Sequence, residues 1–208
     1  VVILMLRRVV GDLDSETKRK IFYAAVIIFV FRAAPSVGQG YTWFTMDVLG
    51  FDEAFLGTLA QIGTALALLG TWLFSDAITR QPVARVLLWL TVATLALSLP
   101  SLGLTLGLHE WTERVFGFGA RTIATIDTAA SSPFAQLSMI PLLTLIAIYA
   151  PPGRRASWFA LMASLMNLAL VAAALQTKYL NALLVVDRGN YANLPTLLAV
   201  AMAIGAIG

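Results

Sequence analysis

The amino-acid sequence predicts an all-α, polytopic membrane protein, and three observations support this fold class. Apolar residues make up 59% of the 208 and charged residues 12%, whereas a soluble domain carries roughly 25% charged residues. Several apolar runs reach the length of about 20 residues that an α-helix needs to cross the hydrocarbon core. Basic residues concentrate in alternate joints between these runs, as expected of a chain that crosses the bilayer repeatedly.

Six apolar spans, labelled A to F, account for most of the chain. Residues 1–10 indicate the end of a preceding helix and residues 11–20 a polar loop. The segment 1–20 therefore precedes a transmembrane bundle over 21–208. The predicted spans are A (21–47), B (53–78), C (83–108), D (120–150), E (155–185) and F (from 194).

The two ends of the chain suggest a piece of a longer protein. The first residue is Val1, and the basic, apolar and small-residue regions of a signal peptide do not follow it in order. Span F stops at Gly208, after too few apolar residues to cross a bilayer. We therefore expect further sequence beyond these residues.

The loop charges orient the predicted spans. Nine lysines and arginines lie on one side: Arg7, Arg8, Lys18, Arg19, Lys20, Arg80, Arg85, Arg154 and Arg155. At most four lie on the other: Arg114, Arg121, Lys178 and Arg188. Because basic residues favour the cytoplasmic side, residues 11–20, 79–85 and 151–155 are predicted to be cytoplasmic.

Composition also argues against several classes of site. Cysteine is absent and His109 is the only histidine, so we predict no metal site, and no cofactor is expected. The net charge of +3 does not indicate nucleic-acid binding, because the basic residues are scattered over span ends. The sequence lacks H-E-x-x-H, P-loop and G-x-S-x-G motifs. We therefore do not expect an enzyme.

Arg32 is the most informative polar residue, because it lies near the middle of span A. A charge at the bilayer centre costs about 2.5 to 3.5 kcal/mol on insertion scales. Arg32, Ser36, Gln39 and Trp43 follow the spacing i, i+4, i+7, i+11, which predicts one shared face of a regular helix. Such a face could bind a planar anionic solute through the guanidinium and the indole ring. Alternatively, Arg32 pairs with an acid of span D or of missing sequence and locks helices together.

Span A also contains three residues that interrupt helices, Pro35, Gly38 and Gly40. An interruption frees backbone polar groups, which must find partners inside the protein or in a wet cavity. Membrane transporters place solute sites at interrupted helices, although proline and glycine are also common in membrane helices generally.

Span D carries two charged residues in its outer part. Arg121 and Asp127 are six residues apart and point roughly 120° away from each other on a regular helix. We therefore expect no bond between them. Asp127 is the candidate proton-coupling group, because burial disfavours the charged form of a carboxyl group. The alternative is a static ion pair with Arg32 or Lys178.

Other polar residues indicate a latch and a helix stripe. Asp76 and Arg80 are four residues apart at the end of span B, which favours an ion pair. Together with Arg85, at the start of span C, they could latch one conformation of a moving bundle. On span E, Asn167 continues a stripe of serines and is open to either helix packing or solute binding.

Three longer stretches of the chain carry a family resemblance. They are RAAPSVGQGYTWFTMDVLGFDEAFLG (Arg32 to Gly57), GFGARTIATIDTAASSPFAQLSMIP (Gly117 to Pro141) and APPGRRASWFALMASLMNLA (Ala150 to Ala169). From Ile21 onward the chain resembles the folate-biopterin transporter family of the major facilitator superfamily, and its cyanobacterial and plastid-type members in particular. Asp76 and Arg80 also resemble the loop signature of that superfamily, with Thr79 in place of the usual glycine.

The resemblance implies the six-helix C-terminal half of a major facilitator bundle, helices seven to twelve, with an N-terminal six-helix half missing. It implies secondary transport of folates or pterins, with protons, in a bacterial plasma membrane or a plastid envelope. The alternative is the import or export of another small anionic or amphiphilic metabolite.

Residues that match the family motifs complete the predicted site. They are Arg32, Pro35, Gly38, Asp47, Arg121, Asp127, Gln136, Pro141 and Gly153. Arg155 departs from many eukaryotic relatives, which have an acidic residue shortly after the loop glycine. From the faces and the resemblance together, the predicted substrate-binding residues are Arg32, Ser36, Gln39, Trp43, Arg121, Gln136 and Asn167.

Overall fold

The computed structural model describes residues 11, 14–151 and 153–207, and helices make up its regular structure. The predicted helix end over 1–10 lies outside the described residues. In chain order the helices are α1 (Ser15–Arg32), α2 (Gln39–Asp47), α3 (Glu53–Thr79), α4 (Val83–Leu97), α5 (Leu99–Thr105), α6 (Leu108–Phe116), α7 (Ala120–Ala135), α8 (Met139–Ile148), α9 (Arg155–Leu183) and α10 (Leu194–Ile207).

The prediction of an all-α polytopic membrane protein is confirmed. Four helical segments within the described ranges are long and apolar enough to cross a membrane: Glu53–Thr79, Val83–Thr105, Ala120–Ile148 and Arg155–Leu183. They correspond to spans B, C, D and E. Large apolar side chains cover their outer surfaces, and Trp72 and Trp89 are 75% and 66% exposed. Such a surface is stable in lipid rather than in water.

Helix α1 begins before the predicted start of span A. The Asp14 side chain accepts a hydrogen bond from the backbone N–H of Thr17, at 3.0 Å, and so caps the helix. Within the first turns, Lys20 Nζ lies 2.7 Å from a Glu16 carboxylate oxygen. The cap and this pair, spaced i, i+4, make residues 15–20 helical, although their polarity suggested a loop.

Span A is divided into α1 and α2 by the open backbone of residues 33–38. Proline restricts the preceding residue to extended conformations and has no N–H to donate, so Pro35 ends the first helix. Gly38 has a φ of +64°, a conformation that glycine adopts readily. The interruption expected from the sequence is therefore present.

The two halves of span A belong to different hydrophobic clusters. Buried residues of α1 pack with α8 and the first half of α9: Ile21, Ile28, Leu142, Leu145, Ile146, Trp158, Leu161, Met162 and Met166. We call this the α1 cluster. A second set joins α2 to the region after α9: Phe44, Val186, Leu194, Leu197 and Leu198. We call this the α2 cluster.

Helices α3 and α7 form the most extensive interhelical contact. A Cβ atom added at Gly70 would lie 2.2 Å from the carbonyl oxygen of Pro133, and one at Gly63 would lie 3.0 Å from Ser132 Oγ. Small residues on α3 therefore let the two backbones touch, as in many membrane helix pairs.

The loop between spans C and D contains a helix that the sequence analysis did not predict. Gly107 and Gly117, both with positive φ, flank α6. On α6 and just beyond it, Trp111 and Phe118 each pack against Phe116, with ring centroids 5.6 and 6.4 Å apart. These rings are exposed, consistent with a place at the membrane interface.

Candidate functional site

The open backbone of residues 33–38 is held by three side chains of α9. Gln176 Nε2 donates to the carbonyl oxygen of Ala33 at 2.8 Å. The N–H of Ser36 donates to Thr177 Oγ1 at 3.0 Å. Asn181 Nδ2 donates to the carbonyl oxygen of Val37 at 3.3 Å. Side chains thus replace helical hydrogen bonds that the interruption removes, and the open backbone groups of the span find partners inside the protein.

Arg32 is the last residue of α1 and is half-buried. Its Nη1 lies 2.8 Å from the thioether sulfur of Met139, a weak acceptor. Its Nε is buried and has no hydrogen-bond partner among the described residues. In this part of the chain Arg32 meets span D through Met139 and not through an acid, so the alternative of an ion pair with Asp127 is wrong. The guanidinium retains donors for another group.

The prediction that Arg32, Ser36, Gln39 and Trp43 share one face of a continuous helix is wrong. Arg32 ends α1, Ser36 lies in the open segment, and Gln39 and Trp43 belong to α2. The helical spacing does not continue through Pro35, for the reason given above. Ser36 and Gln39 are exposed and Trp43 is half-buried. Their role in binding a solute stays a prediction.

Asp127, on α7, is half-buried and faces α5. Its Oδ2 accepts a hydrogen bond from Ser101 Oγ at 2.7 Å, and Tyr41 of α2 also interacts with Ser101. Its Oδ1 is buried and lacks a partner within the described ranges. The carboxyl group lines a cavity of about 420 Å³ together with Ala96, Leu99, Pro100, Leu108, Thr112, Ile123 and Ile126.

Ser101 was not among the residues predicted from the sequence. Its hydroxyl, directly after Pro100 in an apolar span, could have indicated a polar contact within the membrane. Its partner Asp127, on another helix, could be found only from the fold.

Arg121 lies at the end of the α3–α7 contact where α3 begins with its cap Asp52, and it does not bond to Asp127, as predicted. Its Nη2 is 3.0 Å from Asp52 Oδ2, and its Cζ is 5.1 Å from the centroid of the Phe55 ring. Asp52 also accepts a hydrogen bond from the backbone N–H of Phe55 at 2.7 Å, which caps α3. That N–H, and then the Arg121 guanidinium, lower the pKa of the Asp52 carboxyl.

A second ion pair joins α2 to the loop before α10. Arg188 Nη2 lies 3.2 Å from Asp47 Oδ1, and the Tyr191 hydroxyl donates to the other carboxylate oxygen. Sequence analysis placed Asp47 among the motif residues but did not identify Arg188 or Tyr191 as its partners, because both lie about 140 positions away.

Two predicted binding residues are not connected to Arg32 by the described hydrogen bonds. Gln136 is exposed at the C-terminal end of α7, and Asn167 is exposed on α9. Nor does any group of three or more His, Cys, Asp or Glu side chains in the described part form a possible metal site. The binding roles of Gln136, Asn167 and Arg121 therefore stay predictions.

Two of the three predicted latch residues form an ion pair, and their role as a latch stays a prediction. Arg80 Nη2 lies 3.6 Å from Asp76 Oδ2, and both side chains are highly exposed. Arg85 does not join this pair, because its Nη1 donates to Gln81 Oε1 at 3.1 Å. Gln81 is one helical turn before Arg85 and is therefore the nearer partner.

Comparisons with known proteins show the family. A model of the BT1 family matches residues 3–207. A folate-biopterin transporter of Synechocystis sp. is 30% identical over 156 residues, which cover 75% of this chain and 31% of the relative. A probable folate-biopterin transporter 4 of Arabidopsis thaliana is 26% identical over 160 residues, 77% of this chain and 32% of the relative. Folate transporter 2 of Plasmodium falciparum is 23% identical over 185 residues, which cover 88% of this chain and 40% of the relative.

The chain thus spans between 31% and 40% of the length of these relatives. No solved structure matches it at a significant level. The resemblance to folate-biopterin transporters, first drawn from the motifs around Arg32 and Asp127, is confirmed. Because the family model matches the chain over nearly its whole length, this protein belongs to the BT1 family.

Proposed function

We propose that the protein containing this chain is a secondary transporter of folates or pterins, coupled to protons. The observation that carries the proposal is the family match over residues 3–207 together with relatives named as folate or folate-biopterin transporters. In this proposal the chain is the six-helix C-terminal half of a major facilitator bundle, and an N-terminal half completes the pathway. An enzymatic function has no comparable support.

The interrupted span supports a solute site at Arg32. Half-helices that meet at an open backbone are where many transporters bind their solutes. The Arg32 guanidinium, with its unpartnered Nε, would bind a carboxylate of the solute. Ser36 and Gln39 offer further hydrogen bonds from an exposed position, and the Trp43 ring would stack on a flat heterocycle.

The arrangement around Asp127 supports a role in proton coupling. The Ser101 hydroxyl is bonded to Oδ2, so a proton that binds to the unpartnered Oδ1 leaves this hydrogen bond in place. The group can therefore change charge without rearranging its neighbours. Movement of such a proton with the solute is the proposed coupling step.

The proposed setting is a bacterial plasma membrane or a plastid envelope, with residues 11–20, 79–85 and 151–155 in the cytoplasm. The charge asymmetry of the loops supports this orientation. The Asp76–Arg80 pair would then lie on the cytoplasmic side.

The proposal is tested with full-length protein in proteoliposomes, by uptake of labelled folate and of a labelled pterin, with and without a pH gradient. We expect Arg32→Ala to raise KM by about tenfold or more, because a charge-assisted hydrogen bond is lost. We expect Asp127→Asn to abolish stimulation by the gradient while solute exchange continues.

Arg114→Ala and Glu113→Gln, on the exposed surface of α6, are matched controls and should behave as wild type. No uptake of either solute by wild type would disprove the substrate and leave transport of another small anionic metabolite to be tested. Equal uptake by wild type, Arg32→Ala and Asp127→Asn would disprove the site.

A further inference from the structure

We propose that Gln176, Thr177 and Asn181 are positioning residues of the transport site. They hold the open backbone of residues 33–38 and thereby set the positions of the solute-binding residues on either side of it. We call these three side chains the α9 clamp. The inference rests on the proposed function, since it concerns the placement of Arg32 and Gln39. It adds residues that neither the motifs nor the predicted polar face identified.

Hydrogen bonds within α9 fix the orientation of the clamp side chains. Thr177 Oγ1 donates its hydrogen to the carbonyl oxygen of Ala173 at 2.9 Å, so a lone pair remains for the N–H of Ser36. Asn181 Nδ2 donates to the carbonyl oxygen of Thr177 at 2.8 Å as well as to Val37. The amide is thereby fixed with its nitrogen towards the open segment. Helix α9 presents the acceptor and the donor in set orientations.

The clamp packs closely against glycines at the end of the open segment and the start of α2. A Cβ at Gly38 would lie 2.8 Å from Thr177 Cγ2, and a Cβ at Gly40 would lie 3.1 Å from Asn181 Oδ1. Any larger residue at Gly38 would therefore push the Thr177 side chain aside. Sequence and geometry thus agree that α9 and the interruption are fitted to each other.

The bonded backbone groups directly adjoin the candidate solute residues. Ala33, whose carbonyl accepts from Gln176, follows Arg32, and Val37 lies two residues before Gln39. Arg32 and Gln39 are on helices that pack in different clusters, the α1 cluster and the α2 cluster. The clamp is therefore a connection that sets the position of one helix relative to the other. Binding groups need placement within about 0.5 Å to act together.

The test compares Thr177→Val with Thr177→Ser in full-length protein. Valine keeps the shape of threonine and removes the acceptor for the Ser36 N–H, whereas serine keeps the acceptor. We expect Thr177→Val to raise KM at least about fivefold with little change in kcat, because the Ser36 N–H loses the acceptor that holds the open segment against α9, and Thr177→Ser to restore the wild-type value. Thr91→Val is the matched control, since Thr91 Oγ1 donates only within its own helix, to Leu87.

A second measurement does not depend on the solute. The chain has no cysteine, so Ser36→Cys, with cysteines elsewhere in the full-length protein replaced, reports on the open segment through its rate of labelling by a maleimide. We expect Thr177→Val to change this rate at least about threefold, and Thr177→Ser and Thr91→Val to leave it unchanged. Should Thr177→Val fail to fold, Gln176→Met removes the bond to Ala33 without touching Gly38.

The outcomes separate the clamp from the proposed function. If wild type takes up neither folate nor pterin, the proposed function fails, and an unchanged labelling rate in Thr177→Val would overturn the clamp as well. If wild type transports and Thr177→Val matches wild type in KM and labelling, the clamp alone is overturned. An equal rise in KM for Thr177→Val and Thr177→Ser would also overturn it, because the acceptor would then not be the cause.

Discussion

Two helix contacts of this protein are built in opposite ways. Helices α3 and α7 meet backbone to backbone at Gly70, where an added Cβ would lie 2.2 Å from the carbonyl oxygen of Pro133. Helix α9 instead meets the interrupted span A through side chains that bond to open backbone, those of Gln176, Thr177 and Asn181. The contact at Gly70 has no adjustable part, while the second contact is made of rotatable groups. We therefore expect the α3–α7 contact to be rigid and the contact of α9 with span A to be adjustable.

The largest expected effect follows from the rigid contact. In Gly70→Ala the new Cβ would lie 2.2 Å from the carbonyl oxygen of Pro133, and a backbone atom cannot rotate away. Overpacking costs about 1–3 kcal/mol and occasionally more, and we expect a loss at or above the upper end. Thermal unfolding of the detergent-solubilised full-length protein measures it.

Gly57→Ala is the control on the same helix, because no atom lies within 4 Å of its Cβ position. It should be neutral or slightly stabilising, since alanine favours a helix over glycine by about 0.5–1 kcal/mol. Equal melting temperatures of Gly70→Ala and Gly57→Ala would show that the α3–α7 contact is not rigid.

A smaller effect is expected beside the adjustable contact, where α2 packs against the residues that follow α9. In Gly40→Ala the new Cβ would lie 2.9 Å from Val186 Cγ1, the end of a side chain that can be shortened. We expect Gly40→Ala to cost about 1–2 kcal/mol and Val186→Ala to recover part of this in the double variant. A double-mutant cycle on melting temperature measures the coupling. Strict additivity would contradict the distinction between the two contacts.

The same contrast explains which features could be predicted from sequence. Apolar length alone predicted spans B to E, and Pro35 with Gly38 predicted the interruption, because both effects are local to the chain. The prediction that Arg32 and Trp43 share a helical face was wrong, because it extended the helical spacing through that interruption. The partners of Asp127 and of Asp47 could not be predicted, since a hydrogen bond between distant residues depends on how the helices pack.

The ion pair between Asp52 and Arg121, at one end of the α3–α7 contact, gives a pH-dependent prediction. The Phe55 N–H and the Arg121 guanidinium lower the pKa of Asp52, so this carboxylate is stabilised in the folded protein. Its contribution is present above the ordinary pKa of about 3.9 and is lost as the pH falls through the lowered value. We expect the melting temperature of wild type to exceed that of Asp52→Asn at neutral pH and the difference to shrink in acid.

Melting curves of wild type and of Asp52→Asn from about pH 7 to about pH 3 test this prediction. Asp187→Asn, in an exposed turn, is the control. A difference that grows on acidification has the wrong sign and would show that the ion pair does not stabilise this end of the α3–α7 contact.

The smallest effect is expected at the C-terminal end of α3, outside both contacts. The Asp76–Arg80 pair is 3.6 Å long, with side chains 88% and 79% exposed, and exposed pairs contribute about 0–1 kcal/mol. Asp76→Asn should therefore shift the melting temperature by no more than the difference between repeated measurements.

A latch would act on the rate of transport rather than on stability, because it matters only if the ion pair forms in one conformation of the whole transporter and not in the other. If Asp76→Asn changes kcat for uptake while Arg85→Gln does not, the latch consists of the pair alone, as the bond from Arg85 to Gln81 indicates. If neither variant changes kcat, the pair is a solvated charge pair at a helix end and no latch exists at this position.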